Sequence, residues 1–149
     1  MIAVTQTKRG GPDAPPEERG DCFDACLASV LEVPIEEVHV PHVGVWWDHA
    51  QHAVARHGYR LIYIGGGPAR AVELGEWFGP IYWIAGVPSL NLGTRDDGSP
   101  ILHVVVMRGA EIVHDPSLGR RYPLGPVADD FEVQDATLLV ELEPRAEAA

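Results

Sequence analysis

Residues 102–115, LHVVVMRGAEIVHD, constrain the chain more than any other stretch. Two short apolar runs flank a glycine, the pattern of two antiparallel strands joined by a tight turn. The length of that turn decides which side chains meet. If Arg108, Gly109 and Ala110 form a three-residue loop, Met107 pairs with Glu111 and His103 lies opposite Asp115. Directly opposed residues share a face, with Cβ atoms about 5 Å apart. A two-residue turn at Gly109 and Ala110 puts His114 on the His103 face instead, because one step of register turns a strand over. Pro116 has no N–H to continue the pairing and can bend Asp115 inward.

Around this hairpin the remaining elements read in order. YRLIYI (59–64) is a strand closed by Gly65–Gly67; IYWIAGV (81–87) and ATLLVELE (136–143) are two more. A first helix starts at Asp21, an N-cap residue, with Asp24 in its first turn; Phe23, Cys26, Leu27, Val30 and Leu31 recur at helical spacing until Pro34. A second covers VWWDHAQHAVARH (45–57), with Trp46, Ala50, Ala53, Val54 and His57 on one face and Gly58 as terminator. ARAVELGEWF (69–78) is a short third helix. Helices first and then mainly antiparallel strands is an α+β layout. Residues 1–149 fit one domain with room for a core. Within it, 9–20 (RGGPDAPPEERG) read as a flexible loop and 143–149 as a frayed tail.

Composition enters through what it excludes. A formal net charge of −11, with only Lys8 and ten scattered arginines, argues against nucleic acid as partner, since phosphate binding needs clustered cations. No apolar run nears the roughly 18 residues of a membrane span, and MIAVTQTKRGG lacks a signal-peptide core, so a cytoplasmic location is expected. Two cysteines are no disulfide framework. Cys22 and Cys26 lie one helical turn apart, in poor geometry for a bridge.

The two thiols differ in setting. Cys26 lies inside the apolar stripe and reads as core. Cys22 lies at the stripe's edge, at the first helical position, where the helix dipole and free N–H groups favour a thiolate. A nucleophilic thiolate needs a base and a group to orient that base. His103, at the mouth of its strand, suits the first role; Asp115, or else His114, suits the second. A substrate groove beside the Cys22 helix would take one of the adjacent Trp46 and Trp47, with Trp47 the candidate wall, and Asn91 from the loop before His103. His39, His42, His49 and His52 invite a metal reading, but their spacing matches no familiar zinc pattern, so they read as surface residues and no metal or other cofactor is expected. YIGGGPAR has no Gly-Lys-Ser/Thr and no GxGxxG, so it is no phosphate cradle.

GDCFDACLASVLEVP followed by HVVVMRGAEIVHDP resembles the papain-like cysteine peptidases in their compact bacterial and phage forms. It is similar to the bacteriocin leader-processing peptidases and to cell-wall endopeptidases of the same clan. The likeness spans about a third of the chain. It implies a papain-like fold, the Cys helix packed on the sheet that carries His and Asp, and a triad of Cys22, His103 and Asp115. It also implies a glutamine upstream of the cysteine as oxyanion donor, for which Gln6 is the candidate. Two departures stand out. Phe23 follows the cysteine where the leader peptidases have Gly, and Gln6 is sixteen residues upstream with the Pro/Gly-rich segment between. The implied activity is cysteine-dependent hydrolysis or transfer at a peptide or related amide bond. Alternatives of other classes are a catalytically idle binding module on the same fold, and a His-based metal protein.

Overall fold

The computed structural model describes residues 1–143; the tail expected to fray falls almost wholly outside them. Three helices, α1 (Cys22–Leu31), α2 (Trp46–Ala55) and α3 (Ala71–Phe78), accompany eight strands: β1 (Tyr59–Ile64), β2 (Ala69–Arg70), β3 (Tyr82–Pro88), β4 (Leu102–Arg108), β5 (Glu111–His114), β6 (Gly125–Pro126), β7 (Glu132–Val133) and β8 (Asp135–Glu141). Six strands form one antiparallel sheet in the order β1-β8-β3-β4-β5-β6, and β2 pairs with β7 in a second, two-stranded sheet. The α+β architecture expected from the sequence is present.

Apolar periodicity explains the layers. Along β3, Ile84 joins one core cluster, while Trp83, Ala85 and Val87 join another on the opposite face. The first cluster lies under α1 and α2, where Leu27, Ala28, Ala50 and Val54 are fully buried. The second lies under α3, through Ala71 and Leu74 against Val105 and Met107. With both faces covered, β3 carries an almost unbroken apolar run. Trp83 is fully buried and still satisfies its indole N–H, which donates to Gly109 O at 2.9 Å.

Two expectations need correction. The β4–β5 turn has two residues: Arg108 faces Glu111 and Met107 faces Ile112. On that register alone His114 would share the His103 face. A β-bulge follows, however: Val106 faces His114, which leaves Val113 as an extra residue. The added residue turns the strand over once more and returns Asp115 to the side of His103. The second correction concerns residues 9–20. They do form a loop, but its ends are tied. Gly10 N donates to Glu18 O (2.9 Å), Gly20 N to Gly10 O (2.7 Å), and Pro16–Glu18 make a 3-10 turn. A Cβ on Gly10 would sit 2.1 Å from Glu18 O, so only glycine fits that crossing.

Candidate active site

Cys22 occupies the first position of α1 and is partly exposed, whereas Cys26 is fully buried; both thiols are free. Burial pushes the Cys26 thiol well above its ordinary range, and its Sγ lies 3.7 Å from Val104 O. Cys26 is core, as its place in the stripe suggested.

Asp21 takes the N-cap position, and its carbonyl accepts from Ala25 N at 3.0 Å. Its carboxylate caps nothing in the helix. It accepts instead from Thr7 N (2.8 Å), Thr7 Oγ1 (2.5 Å) and Lys8 N (2.9 Å). The segment before the closed loop is thereby pinned to the start of α1. The same segment is held to the end of β5: Gln6 N donates to Pro116 O (3.0 Å), and His114 Nε2 lies 2.7 Å from Val4 O. The sixteen-residue gap is absorbed by the loop, and Gln6 lines the same cleft as Cys22 and His103. Gln6 Nε2 donates to Lys8 O at 2.7 Å, and its buried Oε1 has no partner among the described residues.

His103 and Asp115 come together. His103 Nε2 is 2.8 Å from Asp115 Oδ1, with the carboxylate almost wholly buried. His114 is turned toward Val4, so the two candidates for this position are distinguished by the bulge. Burial by itself would lower the His103 pKa; the hydrogen bond to Asp115 and the influence of the Cys22 side chain outweigh it and raise it to about 9. Burial would likewise raise Asp115, but bonds from His103, Ser117 and the Tyr122 and Ser117 amides bring it down to about 2. The pair is thus held as imidazolium and carboxylate across neutral pH.

Sequence reasoning missed the residues that surround this carboxylate. Ser117 N (2.9 Å) and Ser117 Oγ (2.5 Å) both donate to Asp115 Oδ1, and Tyr122 N donates to Oδ2 at 2.7 Å. Ser117 Oγ also lies 2.9 Å from His103 Nε2. The signal was present in Asp115-Pro116-Ser117, since an aspartate often accepts the amide two residues on. Tyr122, seven residues on, carried none. Its phenol donates to Pro88 O at 2.5 Å and so fastens the loop after β5 to the end of β3.

Cys22, His103 and Gln6 open into a cleft of about 580 Å³. Asn91 lies on its wall. Trp47 does not. It packs against Trp46 (6.2 Å between ring centroids) and Tyr63 (6.0 Å) over the α2 side of the core. Adjacent helical residues point about 100° apart, and here Trp47 meets Tyr63 of β1 while Trp46 packs edge-on against Phe23 of α1, 4.9 Å between ring centroids. His42 lines the cleft, although it read as a surface residue, and burial lowers its pKa. His39 is paired with the buried Asp24 at 3.1 Å. Burial raises Asp24 to about 6, against the bonds from Val40 N and His39. Among the described residues no three metal-ligating side chains converge, and no helix is long and apolar enough to cross a membrane.

Comparison with known proteins yields no match, whether to family models, to curated proteins or to solved structures.

Proposed function

We propose that the chain is a cysteine-nucleophile hydrolase or acyltransferase of papain-like type, acting on peptide or related amide bonds. The observation that supports this best is the placing of His103: a buried carboxylate fixes its Nε2, and a thiol at a helix N-terminus lines the same cleft. With Nε2 occupied by Asp115 and Ser117, Nδ1 is the nitrogen left to face Cys22. A raised imidazolium pKa is what a thiolate–imidazolium pair requires.

The chemistry follows. Cys22 Sγ attacks the acyl carbon and a C–S bond forms. The carbonyl oxygen becomes an oxyanion, met by the Cys22 N–H at the start of α1. Gln6 Nε2 carries a second hydrogen, since only one is donated to Lys8 O, and that hydrogen is the side-chain donor. The C–N bond breaks as the His103 imidazolium protonates the leaving amine. Water, or another nucleophile, then attacks the thioester and gives its proton to His103. The thiol returns and the carboxylic acid leaves. Asp115 stays ionised throughout and orients the ring.

Iodoacetamide alkylation, followed by mass spectrometry at each cysteine across pH, tests this, with His103→Ala as comparison. Cys22 is expected to alkylate well below pH 8, far faster than Cys26, and to lose that advantage in His103→Ala. Two inert cysteines, or a Cys22 indifferent to His103, would make the fold a scaffold without thiol chemistry.

A further inference from the structure

The cleft wall has a charge that the composition does not suggest. Acids outnumber bases two to one in this chain, 22 against 11, so a wall drawn evenly from it would carry more carboxylates than guanidinium groups. Instead Arg9, Arg19, Arg95 and Arg120 line the cleft, and among the described residues no Asp or Glu does. We propose that this cleft selects acyl substrates carrying carboxylates beside the reacting carbonyl, an acidic peptide in the simplest form. The assignment rests on the acyl-transfer reading of Cys22 and names the substrate class of that site.

The four arginines arrive from three loops: the closed loop 9–20, the β3–β4 connection and the segment after β5. None is in an ion pair among the described residues. Three are steadied by carbonyls instead: Arg9 donates to Leu118 O (3.2 Å), Arg19 to Ala14 O (3.0 Å) and Arg120 to Leu90 O (3.4 Å). A carbonyl orients a guanidinium without cancelling its charge, and each side chain keeps most of its five N–H donors. Arg95 makes no side-chain hydrogen bond among the described residues. The acid whose charge it touches, Asp97, turns back onto Ser99 (2.9 and 2.6 Å) and lies outside the wall. The buried carboxylates that flank the cleft are engaged elsewhere, Asp115 with His103 and Asp21 with Thr7 and the Lys8 amide. Cations without a paired acid in a concave site focus their field into it, and the planar guanidinium fork fits carboxylate geometry. A long nucleic acid would have to approach a surface of net charge −11; a short acidic peptide meets mainly the cleft.

Equilibrium binding to the Cys22→Ala protein isolates recognition from chemistry. Dye-labelled hexaglutamate, hexaglutamine and hexalysine are compared by fluorescence anisotropy at low salt. The expected result is hexaglutamate bound about tenfold or more tighter than hexaglutamine, despite the protein's overall charge. The preference is expected to vanish in Arg95→Ala/Arg120→Ala and to persist in Arg60→Ala, which removes an exposed arginine from β1. Both altered arginines in the cleft are exposed, so a thermal melt confirms that the fold is intact. Binding that favours hexalysine, or a hexaglutamate preference that survives the double substitution, overturns the proposal. Peptidyl chloromethyl ketones bearing Glu or Lys at the neighbouring position carry the comparison to Cys22 itself. Selective iodoacetamide alkylation of Cys22 with no charge preference removes the acidic-substrate assignment alone. A hexaglutamate preference with Cys22 behaving as an ordinary thiol removes the acyl-transfer reading and leaves an acidic-peptide site.

Discussion

His103 and Asp115 stabilise the folded chain through their charged forms, and the sign of each contribution follows from its direction of shift. His103 rises from 6.5 to about 9, so its contribution is complete below pH 6.5 and is lost as pH climbs through 9. Asp115 falls from 3.8 to about 2, so its contribution is complete above pH 3.8 and is lost as pH drops through 2. The pair supports the fold most fully between pH 3.8 and 6.5. Asp115→Asn is expected to flatten the thermal midpoint between pH 3.8 and 2, and to bring the His103 titration, followed by NMR, down from about 9. A wild-type His103 that titrates near its ordinary value would contradict the ion pair, as would a substitution that leaves it high. The residue types at this site were legible in the sequence because each carries its own local signal: a thiol at a helix start, a histidine at a strand mouth, an Asp-Pro at a hairpin end. Ser117 and Tyr122 were harder to read, since a backbone amide can donate to a carboxylate from any residue type. Trp47 misled for the opposite reason. An aromatic ring fills a groove or a core equally well, and only the packing of α2 against β1 decides between them.

At the level of elements, the site depends on three devices, of which the sequence displayed one. The helix that presents Cys22 was plain from its stripe and its stop at Pro34. The bulge at Val113 was not, because an extra residue inside a strand leaves no mark on apolar alternation; its effect is visible only in which residue meets His103. The closed loop 9–20 was hidden too, since its Pro, Gly and charge content is that of any unstructured connection, while its closure comes from backbone bonds at Gly10. That closure lets Gln6 stand beside Cys22 and brings Arg9 and Arg19 to one wall. Gly10→Ala is therefore expected to open it. The new Cβ would meet Ala14 Cβ at 2.8 Å and Glu18 O at 2.1 Å, the latter backbone that cannot yield cheaply. A cost of about 1–3 kcal/mol in stability is expected, as for other steric insertions, with faster tryptic cleavage at Arg9 and Arg19. Gly119→Ala, where an added Cβ meets nothing within 4 Å, is the comparison. Equal proteolysis of the two variants would show that the loop is open already.

Across the whole molecule, charge is arranged against itself. The chain as a whole is acidic and the wall of the cleft is basic: helices cover both faces of the sheet, and the arginine-bearing loops gather where Cys22, His103 and the end of β3 meet. This convergence could not be read along the chain. Arg9, Arg19, Arg95 and Arg120 are scattered in sequence and share a wall only after β3 and β4 pair and Tyr122 fastens the last loop to Pro88. The arrangement makes salt act in opposite senses on stability and on recognition. Net charge of one sign opposes the compact state, so screening it favours folding. The cleft's attraction for carboxylates depends on the same unscreened field. From about 0.01 M to about 1 M sodium chloride the Debye length falls from about 30 Å to about 3 Å. Over that range at neutral pH the melting temperature is expected to rise while the hexaglutamate preference shrinks toward unity. A melting temperature that falls with salt would mean that local ion pairs outweigh the net repulsion. A preference that persists at 1 M would mean that the peptide is held by contacts other than the four guanidinium groups. The two curves crossing in opposite directions is the result this distribution of charge requires.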